Sequence, residues 1–151
     1  MRVGFVVLGL LLLLAESAAS AAPLPVTTIS VDAAKGRAEF RVEIAGDHDS
    51  QERGLMFRKK MAANAGMLFD FHQPVMTTFW MKNTVLPLDI IFIRTDGTIS
   101  SIAANAVPFS EASIPSSEPI RAVLEINAGR AKALGIEPND RVHAAIFERT
   151  R

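Results

Sequence analysis

Short apolar blocks, each closed by a turn after roughly four to eight residues, dominate the sequence and confine it to a strand-rich fold. Between 38 and 44, Phe40, Val42 and Ile44 alternate with Glu39, Arg41 and Glu43, the period of a strand buried on one face. A shorter alternating stretch, Thr28 to Val31, precedes it across Lys35-Gly36-Arg37. Residues 66–71 and 76–82 read as strands around the turn residues His72-Gln73-Pro74, and 88–93 as a strongly apolar strand. Thr95-Asp96-Gly97-Thr98 is a hairpin signal that returns the chain into Ile99 to Ala103. Further strands are expected over 122–126 and 142–147, with a long Pro/Ser-rich loop over 108–119.

Only two short helices fit between these blocks. Asp49 followed three residues later by Glu52 resembles a capping box, which predicts a helix from Ser50 to Phe57. Arg58, Lys59 and Lys60 then stand where a helix C-terminus favours positive charge. Asn127 can cap a second helix over Ala128 to Leu134, closed by Gly135 and Ile136 in a Schellman arrangement. Together these elements predict an α+β domain, a mainly antiparallel, partly closed or barrel-like β-sheet with two short helices. A length of 151 residues suits one domain with a true core, placed at 38–148 behind an extended lead-in and first strand at 22–37.

Charge and composition exclude several functions. Sixteen basic and 16 acidic side chains give zero net charge with no Lys/Arg block, so the electrostatic footprint of a nucleic-acid binder is missing. The absence of cysteine removes thiol nucleophiles, thiolate metal sites and disulfides. His48, His72 and His143 lie far apart, and no metal-ligand spacing, phosphate-binding glycine loop or nucleophile elbow is present. No cofactor or metal is therefore expected.

The first 21 residues predict a signal peptide. Met1-Arg2 is a positive start, Val3 to Ala15 is uncharged and apolar, and Ala19-Ser20-Ala21 is a small-x-small cleavage site. The apolar run of about a dozen residues is shorter than the roughly 20 needed to span a bilayer. An uncleaved anchor is the alternative. The chain is thus expected to be exported, periplasmic or secreted, with no stable membrane insertion once the leader is removed.

Candidate site residues are the polar ones that interrupt apolar patterns. Asp89 shares its strand face with Ile91 and Ile93, so its carboxylate must be paired or protonated. Lys82, on the Thr78-Trp80-Lys82 face, is the nearest partner in sequence across Asn83-Thr84-Val85-Leu86-Pro87. Such a pair either fixes strand register or rims a pocket with Trp80 as its wall. Glu125 poses the same question on 122–126, where a solvated strand face is the competing explanation. Arg53 and Arg58 are placed to meet Asp89 or Glu125 bidentately, or to be ordinary surface cations.

Taken in order, Arg53-Gly54-Leu55-Met56-Phe57-Arg58, Gly66-Met67-Leu68-Phe69-Asp70-Phe71, Phe79-Trp80-Met81-Lys82-Asn83-Thr84, Pro87-Leu88-Asp89-Ile90-Ile91-Phe92 and Val123-Leu124-Glu125-Ile126-Asn127-Ala128-Gly129 resemble one family, domain of unknown function 192. Gly135-Ile136 and Asp140 complete the resemblance, which spans roughly 38 to 148. It implies a compact, β-rich domain, commonly small and often exported, with no established activity. The motifs then mark a shared site or a shared core. Two positions depart from the pattern: Ala122 replaces a usual aromatic, and Ser116 and Ser117 occupy a loop where many members carry a cysteine.

Three functions fit these residues. The leading one is a non-catalytic binding domain for a small polar or glycan-like ligand, formed by Arg53, Trp80, Lys82, Asn83, Thr84, Asp89 and Glu125. The second is a hydrolase using Asp89 and Glu125 as an acid/base pair. The third is an envelope protein-interaction domain that makes contact through 108–119.

Overall fold

The computed structural model describes residues 22–148. The leader expected over 1–21 lies outside the described residues. The described chain runs β1 (Val26–Ala33), β2 (Gly36–Ala45), α1 (His48–Arg53), β3 (Ala65–Val75), β4 (Thr78–Phe79), β5 (Leu88–Ile93), β6 (Ile99–Ala106), β7 (Ile114–Pro115), β8 (Ile120–Asn127), α2 (Arg130–Leu134) and β9 (Arg141–His143). A 3-10 turn, Ala145–Phe147, follows.

Seven strands form one sheet in the order β6-β5-β8-β3-β2-β1-β9, and β4 pairs with β7 in a separate two-stranded arm. Within the large sheet β2 and β3 run parallel, while the other neighbouring strands are antiparallel. The two edges approach at one end, where Thr98 bridges to Arg141, and Val142 N–H donates to Gly97 O at 2.8 Å. That contact makes the sheet a partly closed half-barrel, the α+β architecture expected from the strand pattern.

Alternation along the central strands supplies two cores, one on each side of the sheet. Inside the half-barrel lie Ile29, Val31, Phe40, Val42, Leu68, Ile91, Ile93, Leu124 and Ile126, closed at one end by Ala131 and Ile136. Outside lie Met67, Phe69, Leu88, Ile90, Phe92 and Val123, covered by Leu55 and Met81. Phe79 of the arm packs edge-on against Phe69 and Phe92, with ring centroids 5.0 and 6.0 Å apart. Each such pair adds about 0.5–1.5 kcal/mol beyond area burial, so Phe79 pins the arm to the outer face.

Local chemistry moves several elements from their expected positions. The first helix starts two residues earlier, because Asp47 is its cap and closes a capping box with Ser50 in place of Asp49 with Glu52. It also ends sooner, at Gly54, whose φ of 47° breaks the helix. The segment 76–82 keeps only two strand residues, since β3 itself runs on to Val75 past His72 at φ 63°. Part of the long loop pairs as β7. The last strand stops at His143 and gives way to the 3-10 turn.

At the second helix the closing end matches the Schellman expectation. Gly135 adopts φ 71°, its N–H donates to Lys132 O, and Ile136 N–H donates to Ala131 O. The opening end does not. Asn127 belongs to β8 and turns its amide to the carbonyls of Met61 and Ala62, so it is not the cap. Among the described residues no helix is long and apolar enough to cross a membrane.

Candidate functional site

A cleft of about 400 Å³ opens on the outer face of the sheet. One wall is the last turn of α1 with Leu55 and Met56, and the other is Phe79, Trp80 and Thr84. Phe69, Phe71 and Glu125, from β3 and β8, complete the lining. A second hollow, lined by Asp49, Glu52, Arg53, Met56, Trp80, Lys82 and Asn83, shares four of these residues and extends the same cleft.

Two backbone features set the walls. Gly54 ends α1 at a positive φ of 47°, and a Cβ there would stand 3.3 Å from the Phe69 ring. Gln51 fixes the helix to the sheet by donating to Ala45 O at 3.2 Å and Asp70 O at 2.8 Å. Opposite, Thr84 is buried, and its hydroxyl donates to Lys82 O at 3.2 Å, which folds 81–84 into a turn. Trp80 is left 49% exposed, with the Lys82 ammonium 5.1 Å from its ring centroid.

Glu125 is the chemical centre of this cleft. It is only 4% exposed, yet no described residue donates a hydrogen bond or an ion pair to its carboxyl. Burial alone pushes its pKa up to about 8, so the group is held largely as the neutral acid near pH 7. A neutral carboxyl can both donate and accept a hydrogen bond, and here both capacities are left for something outside the protein.

Asp89 has the opposite character. It pairs in register with Ile126, whereas Glu125 pairs with Ile90, so the alternation of adjacent strands sends the two carboxylates to opposite faces of the sheet. One Asp89 oxygen accepts the backbone N–H groups of Asn105 (2.9 Å) and Gly129 (3.1 Å), and the other accepts Ala131 N–H at 2.9 Å. Asp89 thereby caps α2 from a distant strand, a task that no side chain next to the helix performs. The expected Lys82–Asp89 pair does not form, because Asp89 is satisfied by backbone donors and Lys82 lies over Trp80. The Asp89/Glu125 acid/base pair likewise has the sheet between its members.

Six of the seven candidate residues therefore meet at one cleft: Arg53, Trp80, Lys82, Asn83, Thr84 and Glu125. Arg58 instead grips Glu43 with both terminal guanidinium nitrogens. Sequence reasoning missed Glu52, Gln51 and the aromatic lining from Phe69 and Phe71, while Phe79 beside Trp80 is a pocket wall that the sequence already suggests. The aromatics carried a signal, since Phe69 and Phe71 share one strand face with Met67. Gln51 and Glu52 carried none, because the helix face that meets the sheet depends on tertiary docking. Among the described residues no group of three His, Asp or Glu is placed to hold a metal ion.

Fold and cleft together define a single α+β half-barrel domain with one buried carboxyl, Glu125, in an aromatic-walled hollow. Residues 29–144 match the family model DUF192, described as an uncharacterized ACR, and the chain belongs to that family. It is similar to the crystal structure of a candidate transcription regulator from Sinorhizobium meliloti, 46% identical, covering 84% of this chain and 99% of that one with a TM-score of 0.81. A protein of unknown function from Novosphingobium aromaticivorans is 45% identical, covering 83% of this chain and 94% of that one with a TM-score of 0.78. No curated protein matches the chain.

Proposed function

We propose that this is an exported, non-catalytic binding domain whose cleft takes a small polar ligand with a flat, glycan-like face. The observation that carries this reading is Glu125, buried at an aromatic-walled cleft with no partner of its own. The carboxyl opens onto the cleft rather than being sealed off, so a ligand hydroxyl that meets it there takes the place of water, for a net gain of about 0.5–1.5 kcal/mol. Trp80 offers an amphipathic surface for a ring, with Thr84 and Arg53 at hand for orientation. Export is supported by the Met1–Ala21 sequence alone.

Hydrolysis needs a second carboxylate, which Asp89 does not supply on this face. Glu52 is the carboxylate that lines the cleft with Glu125, and the contrast between an exposed and a buried acid is what a catalytic division of labour requires. It is the residue on which an enzymatic reading now depends.

The two readings separate in one series. Maltotriose, cellotriose and chitotriose are tested for a rise in melting temperature and, by chromatography, for cleavage. The binding reading expects a rise with at least one sugar, lost in Trp80→Ala and Glu125→Leu, with the sugar recovered intact. Cleavage abolished by Glu52→Gln would replace binding with hydrolysis. No thermal response to any of the three sugars would count against the glycan-like ligand.

A further inference from the structure

Three turns stand together at one end of the cleft, each with a left-handed residue at its third position. They are 55–58, closed by Arg58 N–H to Leu55 O; 81–84, closed by Thr84 N–H to Met81 O; and 107–110, closed by Ser110 N–H to Val107 O. Their third residues are Phe57 (φ 63°), Asn83 (φ 55°) and Phe109 (φ 62°). The turns are tied to one another, since Phe57 N–H donates to Asn83 O, Phe109 N–H to Thr84 O and Met81 N–H to Ser110 O.

Glycine or asparagine is the usual occupant of that position, and only the middle turn has one. The outer two place phenylalanine where its backbone is disfavoured, and then leave the ring in water: Phe57 is 64% exposed and Phe109 62%. Val107 at 66% and Val85 at 38% lie beside them. Neither the backbone conformation nor the packing of this chain explains two aromatic tips here.

We propose that the three turns form a docking surface for an anionic phospholipid bilayer, with Phe57 and Phe109 as the inserting tips. The flanking charge fits that partner. Within three residues of the tips stand Arg58, Lys59 and Lys60, against the single carboxylate of Glu111. Arg58 is engaged by Glu43, while Lys59 and Lys60 are exposed. Apolar tips between exposed cations match the acyl boundary and headgroup layer of such a membrane. This is peripheral contact, distinct from insertion of a spanning helix, and it holds whether or not the cleft binds a sugar.

The test uses residues 22–151, which hold every element among the described residues. A homologue 99% covered by 84% of this chain is itself a folded crystal structure, so a unit of this extent stands alone. Sedimentation is measured with phosphatidylcholine vesicles and with vesicles containing phosphatidylglycerol. Binding to the anionic vesicles is expected, weakened about tenfold or more by Phe57→Ala with Phe109→Ala, and about fivefold for each of Lys59→Gln and Lys60→Gln. Phe109→Gly supplies the control for folding. Glycine suits a left-handed turn position, so its melting temperature should hold or rise while vesicle binding falls.

Several results would overturn the proposal: no sedimentation with anionic vesicles, binding indifferent to both phenylalanines, or a large fall in melting temperature for Phe109→Gly. A concentration-dependent dimer abolished by Phe109→Ala, without vesicle binding, would instead make the tips a protein interface.

Discussion

Asp89 and Glu125 are carboxylates on neighbouring strands, both removed from water, and they lead opposite lives. Asp89 faces the inside of the half-barrel and accepts three backbone N–H groups, which tie β5 to the end of β6 and the start of α2. Glu125 faces the cleft and accepts none. Burial alone therefore does not mark a functional acid. What separates the architectural carboxylate from the available one is whether the protein itself meets its hydrogen bonds.

The largest effect should come from removing the architectural member. Asp89→Ala orphans three backbone donors, two at the start of α2 and one at the end of β6, and the expected loss is about 3–5 kcal/mol. Thermal denaturation should show a fall of roughly 10–20 °C. A fall of only a few degrees would break the contrast from the Asp89 side.

Glu125→Gln should act in the other direction. The folded-state pKa is raised to about 8 from an ordinary 4.5, so the stability it contributes is fully present below about pH 4.5 and is lost as pH rises through 8. Near pH 7 the unfolded chain gains by ionising while the folded chain does not. Glutamine removes that bias, and the variant should be more stable than the parent by about 2–3 kcal/mol, since each pKa unit corresponds to 1.36 kcal/mol. Chemical denaturation from pH 4.5 to 8 should show the gap widening with pH; a constant gap would contradict the assignment.

Smaller effects sharpen the picture of the arm. Ser116 is buried, and its hydroxyl accepts Thr77 N–H at 3.1 Å, joining β4 to β7. Ser116→Ala should cost about 1 kcal/mol, read as a modest shift in denaturation midpoint. Lys82→Met removes only a cation over an indole, so its effect should stay within about 1 kcal/mol. A loss as large as that of Asp89→Ala would revive a buried Lys82–Asp89 pair.

The strand pattern was legible because burial on a sheet face has a period of two that any run of Phe40-Val42 type displays. The Gly135–Ile136 helix closure was legible for the same local reason. Asp89 was visible as an anomaly, but its partners were not, because they are backbone groups on segments 16 to 42 residues away. The first helix shifted by two residues because Asp47 and Asp49 offer nearly equivalent caps in sequence, and only Ser50 decides between them. Four cleft residues, Arg53, Lys82, Asn83 and Glu125, were recognisable as polar positions out of pattern, and Trp80 as a pocket wall. The role of α1 as their opposite wall depended on Gln51 reaching two carbonyls across the fold.

The central claim is that Glu125 carries a proton because the protein gives its carboxyl no partner. The most direct measurement is a carbon-13 NMR titration of the Glu125 side-chain carboxyl, assigned by its loss in Glu125→Gln. A midpoint about 8 is the predicted result. A midpoint near the ordinary 4.5 would mean that water or an internal donor already satisfies the group, and the cleft would lose the feature that marks it as a site.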